Sequence, residues 1–173
     1  RRRELTGESI TVFGVPPQQT VIEPVAPDIL EKEVQGLPVD QRLVTSDDLA
    51  VYLAQSSQIP NMLNEIGRLR EVTFRQVDEG TGKAIDLDRF DSYYQHLFLW
   101  NRAGRELIGA YRIGLTDEII ERYGPRGLYT NQLFRFKPEF IRYLSTAIAL
   151  GGSFIRVEYQ RKLNSLMLLW RGI

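Results

Sequence analysis

A chain of 173 residues, 43% hydrophobic and 25% charged, is long enough for one domain with a buried core and too short for two large ones, and its composition is not that of a disordered tail. Lys and Arg number 22, as do Asp and Glu, so the cationic surplus that binding to a nucleic-acid backbone requires is missing and no nucleic-acid partner is expected. The lack of cysteine removes disulfide, thiolate-zinc, iron–sulfur and cysteine-nucleophile chemistry, and a single histidine makes a His-rich metal site implausible, so no metal is expected.

Proline is concentrated at the start, with Pro16, Pro17, Pro24, Pro27 and Pro38 making five of the eight. At that density it interrupts helix and ladder hydrogen bonds alike. Residues 1–45 are therefore expected to form a Pro-rich arm or interdomain linker, with at most a short helix over 28–35. Within it, 10–13 and 20–22 are apolar enough to lie along a surface or pair as edge strands. Residues 49–54 predict a strand. Ser57 is placed to cap the following helix, Pro60 suits its first turn, and Met62, Leu63, Ile66 and Leu69 recur at helical spacing toward Val77.

Residues 78–82 read as a loop, and 95–100 and 106–113 as strands joined by a hairpin at 101–104. A short helix over 116–123 closes at Gly124-Pro125. Another helix spans 138–146, a strand 147–156, and a last helix 158–170 is apolar nearly all round and expected to be buried. The expected fold class is α+β, a mixed, mostly antiparallel central sheet flanked by helices, in one domain at 46–173. The last helix should feed another strand, so the C-terminal strands are expected to be missing. With no initiator Met, the chain reads as a fragment.

No run approaches the roughly 20 apolar residues that span a bilayer. Arg1-Arg2-Arg3 is followed by Glu4, Thr6 and Gly7 with no apolar h-region, unlike a secretory signal. The cytoplasm is the expected location, with peripheral association at the inner membrane surface left open.

Residues 69–100 carry most of the chemistry. Asp86, Asp88 and Asp91 precede an apolar strand beside Tyr93, Tyr94 and His96, with Arg68, Arg70 and Arg75 on the helix before and Arg112 ending the next strand. These side chains form either structural ion pairs or a polar pocket in which arginines hold carboxylates and the carboxylates hold an amine. Spacing alone does not separate the two.

Five motifs fall in a telling order: Leu69-Arg-Glu-Val-Thr-Phe74, Asp88-Arg-Phe-Asp91, His96-Leu97, Gly109-Ala-Tyr-Arg112 and Leu150-Gly-x-Ser-Phe154. Over about 46–173 they resemble the ornithine-lipid and glycine-lipid (hemolysin-like) N-acyltransferase branch of the GNAT superfamily, which is similar to the acyl-homoserine-lactone synthases. The resemblance implies a GNAT-like sheet splayed to admit a thioester. An acyl group on acyl carrier protein or coenzyme A would pass to the amine of a small amino acid, with no tightly bound cofactor. Fused relatives carry a phospholipid-acyltransferase domain ahead of this one, which would make the arm a linker to such a fused or partner domain.

Carried over by motif, Arg70, Asp88, Asp91 and Arg112 are the catalytic candidates. Phe74, His96, Trp100, Gly151, Gly152, Ser153 and Phe154 are the substrate-binding candidates, although aromatics at strand spacing such as Trp100 and Phe154 are expected first to fill the core. Gly151-Gly152 reads as a bulge or a packing bend. Arg156, Arg161 and Lys162 are candidates to meet an acidic carrier, or else form a solvated basic helix start.

The chain departs from its relatives at one strand, reading Ala149-Leu-Gly-Gly-Ser-Phe154 where they read Glu-Leu-Gly-Arg-Ser-Phe. Loss of the acid at Ala149 and the arginine at Gly152 together strands no buried partner. The expected function is thus N-acyl transfer in amino-acid lipid synthesis, weakened or absent as the sequence stands. The alternatives are a non-catalytic pseudoenzyme that binds an acyl carrier or partner, and an autoinducer synthase-like acyltransferase.

Overall fold

A computed structural model describes residues 17–160 and 163–173. Strands β1 (Arg42–Ser46), β2 (Leu49–Gln55), β3 (Gln95–Asn101), β4 (Glu106–Leu115) and β5 (Ile148–Ile155) form one sheet in that order. It is the expected α+β architecture, and each of its described pairings is antiparallel.

The pleat sends alternate side chains to opposite faces. One face buries Tyr52, Ala54, Phe98, Trp100, Ala110 and Phe154 under Leu30 and Val34 of α1 (Pro27–Gln35) and Met62, Ile66 and Leu69 of α2 (Pro60–Arg75). The other packs Val51, Leu97, Leu99, Ile108 and Ile113 against Leu168 and Leu169 of α6 (Leu163–Arg171). A third cluster, around Phe90, Tyr94, Ile119 and Leu128, anchors α3 (Thr116–Tyr123) at the side of the sheet. The chain that follows α3 contains two single-turn helices, α4 (Thr130–Leu133) and α5 (Pro138–Ile141).

Several local expectations change. The short helix in the arm exists, but it is part of the main core, and β1 pairs with β2 although 42–45 were assigned to the arm. Residues 19–22 lie against the loop at 82–84, with Gln19 N donating to Gly82 O at 2.8 Å and Ile22 N to Ala84 O at 3.0 Å. Residues 10–13 lie outside the described residues.

Ser57 does not cap α2. It lies in a 3₁₀ turn, and the N-cap residue Ile59 makes no side-chain bond. Glu33 of α1 does the work instead, its carboxylate accepting from Asn61 N at 2.9 Å and Met62 N at 2.7 Å. An acid at the positive end of a helix is the favourable arrangement. The helix expected at 138–146 is α5 followed by a 3₁₀ turn. α6 begins later than expected and is buried on one face only, with Leu166, Met167 and Trp170 exposed.

Candidate functional site

Asp88 caps a 3₁₀ turn over Arg89–Ser92, and Asp91 is its third residue. The Asp88 carboxylate accepts from Phe90 N at 2.7 Å, and Asp91 Oδ2 reaches back to accept from Asp88 N at 2.8 Å. This reciprocal capping box orients both acids. The spacing of the two aspartates therefore serves the backbone first, and the cluster second.

Arg70 comes from α2 and is 2% exposed. Its NH1 and NH2 donate to the two oxygens of Asp91 at 3.2 and 3.0 Å, its Nε to Asp86 Oδ2 at 2.9 Å, and NH2 also to the Asp86 carbonyl. Arg112 enters from β4, donating from NH1 to Asp88 Oδ1 at 2.8 Å, with Asp91 Oδ2 at 3.3 Å. The Arg112 guanidinium lies over Tyr129, Tyr94 and Phe90, 4.9, 5.3 and 5.6 Å from their ring centres. With all carboxylates ionised, two arginines face three aspartates, an excess of one negative charge.

Burial alone would raise the Asp91 carboxyl, but hydrogen bonds and charge from Arg70, with Arg112, outweigh it and hold Asp91 below the ordinary aspartate value. For Asp86 burial wins over Arg70, the charges of Asp91 and Glu71 add to it, and the carboxyl is pushed up. His96 pairs with Arg112 across β3 and β4 and is fully buried. Its Nε2 lies 2.9 Å from the Asp91 carbonyl, and burial lowers its pKa against the pull of Asp91, so it is neutral at pH 7. The imidazole thus supports the aspartate turn from beneath.

The glycines of β5 back onto this cluster. Between the pairs Ala110–Phe154 and Arg112–Gly151, the single residue Tyr111 faces both Gly152 and Ser153, so β5 carries a bulge. Gly152 has φ +55°, and a Cβ there would sit 2.7 Å from Arg70 NH1. Gly151 faces Arg112, whose NH2 would be 4.0 Å from a Cβ. Two bare backbone positions therefore meet two guanidiniums at the outermost described strand.

The candidate residues divide accordingly. Arg70, Asp88, Asp91, His96, Arg112, Gly151 and Gly152 come together, and exposed Ser153 is at their rim. Phe74 lies one turn past Arg70, half-buried. Phe154 is core, opposite Ala110. Trp100 is four residues from His96 along β3, roughly 13 Å, and lines a different cavity of about 340 Å³ with Tyr52, Arg42 and Arg102. Ala149 packs against the Phe90–Tyr94 cluster. Arg156 is engaged by Glu106 at 2.6 Å and Glu158 at 3.5 Å, while Arg161 and Lys162 lie outside the described residues. Among the described residues, no group of three or more His, Asp or Glu is placed to hold a metal, and no helix is long and apolar enough to cross a membrane.

The bond between Asp86 and Arg70 is one of the acid–arginine pairs whose partners the sequence leaves open. It depends on a loop reversal in which Asp86 N donates to Gly67 O at 3.2 Å. Gly67 permits that approach, since a Cβ there would lie 2.7 Å from the Leu87 side chain. A glycine in mid-helix was the available sequence signal.

Residues 69–171 match the family described as an acetyltransferase (GNAT) domain. A glycine N(alpha)-acyltransferase of Phocaeicola vulgatus is 36% identical over 168 residues, covering 90% of this chain and 51% of that protein. One of Bacteroides thetaiotaomicron is 36% identical over 168 residues, covering 90% of this chain and 49% of that protein. The chain thus spans about half the length of these curated relatives. No solved structure matches it significantly.

Proposed function

This chain belongs to the acetyltransferase (GNAT) domain family, and from that membership we propose that it serves the transfer of a fatty acyl group from a thioester to the amine of glycine. The acyl donor is acyl carrier protein or coenzyme A, and the product is an acylated amino acid of the lipid class. One observation carries the assignment of the site: the arginine–aspartate cluster lies directly beneath the glycine bulge of β5.

The excess negative charge of the cluster favours an incoming ammonium. Asp88 is the accessible acid, its side chain 37% exposed against 2% for Asp91. In the proposed step, Asp88, directly or through a water, takes a proton from the amine. The neutral nitrogen attacks the thioester carbon, the C–N bond forms, the C–S bond breaks, and the thiolate leaves with a proton. Base assistance of this kind is worth about 10²–10⁴ in rate. Backbone N–H groups at the bulge are the candidate donors to the oxyanion, each worth on the order of 10²–10³. Asp91, saturated by two arginines, holds Arg112 and the turn in place.

A second reading, an acyl-carrier-binding module without catalysis, is favoured by Ala149. It sits in an apolar cluster at the position where the family resemblance implies a carboxylate, and β5 brings no acid of its own. Mass spectrometry of lipids from cells expressing the protein separates the two. Acyl transfer yields N-acylated glycine that falls about 10²–10⁴-fold in Asp88→Asn. No acylated glycine from a folded wild type supports the binding module, and an unchanged yield in Asp88→Asn removes Asp88 from the chemistry.

A further inference from the structure

The chain as a whole has no net charge, yet residues 122–146 contain Arg122, Arg126, Arg135, Lys137 and Arg142 against a single carboxylate, Glu139. This stretch is +4, so the rest of the chain is −4. All five cations are exposed. The same stretch holds four large apolar side chains that the fold leaves outside: Leu133 at 61% exposed, Phe134 at 63%, Phe140 at 48% and Tyr143 at 77%.

The exposure does not come from a loosely attached segment. Phe136 and Leu144 of the same stretch turn inward against the Phe90–Tyr94 cluster. Tyr93 donates from its hydroxyl to Gly127 O at 2.8 Å, and Tyr129 N donates to the Tyr94 hydroxyl at 3.1 Å. The stretch is thus fixed to the body at these points, and the side chains it leaves exposed are cations, aromatics and leucine.

We propose that residues 122–146 form a docking surface for an anionic lipid bilayer. Arginine and lysine would meet lipid phosphates, while Leu133, Phe134, Phe140 and Tyr143 enter the boundary between headgroups and acyl chains. Interfacial segments combine these two chemistries, and cations near an anionic surface add binding one by one. The sequence Leu133-Phe-Arg-Phe-Lys137 brings both together within five residues. The inference goes beyond acyl transfer, because it rests on exposed residues alone. The stretch also adjoins the cluster, with the Arg112 guanidinium 4.9 Å from the Tyr129 ring centre.

The test is co-sedimentation of the protein with phosphatidylglycerol-containing vesicles and with pure phosphatidylcholine vesicles. Binding is expected to the anionic vesicles, weaker at high salt and weaker still to the neutral ones. Phe134→Ser with Tyr143→Ser should lower it roughly tenfold, and Arg135→Glu with Lys137→Glu on the order of tenfold or more. A control pair on other surfaces, Val39→Ser with Val77→Ser, should leave it unchanged. Equal binding to both vesicle types, or wild-type binding by either segment variant, overturns the proposal. So does the absence of vesicle binding while the charge variants weaken capture of purified acyl carrier protein, which would make the patch a protein-docking surface.

Discussion

Asp91 is where the electrostatics of the molecule concentrate, because one buried carboxylate serves two guanidiniums and an amide. Removing one partner from such an arrangement costs far more than the arrangement contributes over an apolar replacement, about 3–5 kcal/mol. Asp91→Asn should therefore lower stability by about that much near neutrality, read from urea unfolding. Its folded pKa is depressed, so its stabilisation is complete above the unfolded value of about 3.9 and disappears as pH falls through the lower folded value. Glu71 acts in the same sense. Burial raises its carboxyl, but bonds from Thr81 and Arg75 and from the amides of Thr81 and Gly82 outweigh this. Asp86, pushed up, acts in the opposite sense, with its contribution largest at low pH. Unfolding should thus ease in acid, and Asp91→Asn should flatten that acid limb. An acid limb of wild-type steepness in the variant would show that Asp91 does not drive it. The motifs made Arg70, Asp88, Asp91 and Arg112 legible as a group, because each occupies a strong local position. The burial of His96 beneath the turn was not legible, since a histidine on a strand reveals its face but not its cover.

Among the elements, β5 depends most on a single backbone position. Its bulge needs a left-handed residue where Arg70 leaves no space, and Gly152 meets both demands. Gly152→Ala should cost about 1–3 kcal/mol from backbone strain and should also displace Arg70, which four hydrogen bonds restrain. Thermal unfolding measures the loss, and an unchanged midpoint would contradict the φ assigned there. An arginine at 152 would meet the same obstacle. The paired glycines implied a bulge or a packing bend, and the register shows the bulge. β1 was not legible, because Arg42–Ser46 has no apolar alternation, and only Val44 joins the core while the backbone edge of β2 supplies the pairing. The cap of α2 escaped notice because Glu33 precedes it by 28 residues. For α6, an apolar content nearly all round implied full burial, and the packed sheet covers Leu168 and Leu169 while leaving Met167 and Trp170 exposed.

At the scale of the molecule, proline content misled where burial decides. Leu30 and Val34 belong to the same core as Met62, Phe98 and Trp100, and Glu33 bonds α1 to α2. Amide hydrogen exchange should therefore find Val34 protected to the same order as Leu97 in the central strand, both opening only with global unfolding. Exchange at Val34 faster by several orders would restore the picture of a detachable arm.

The strand order has a further consequence. Because position in the sheet repeats position in the chain, each newly synthesised strand finds its partner already in place as the edge left by its predecessor. Among the described strands, none has to wait for a later neighbour to be inserted between two earlier ones, so these five can be assembled in step with translation. The charged cluster follows the same timetable: Arg70, Asp86, Asp88 and Asp91 leave the ribosome before Arg112, and the glycines that cover them arrive last.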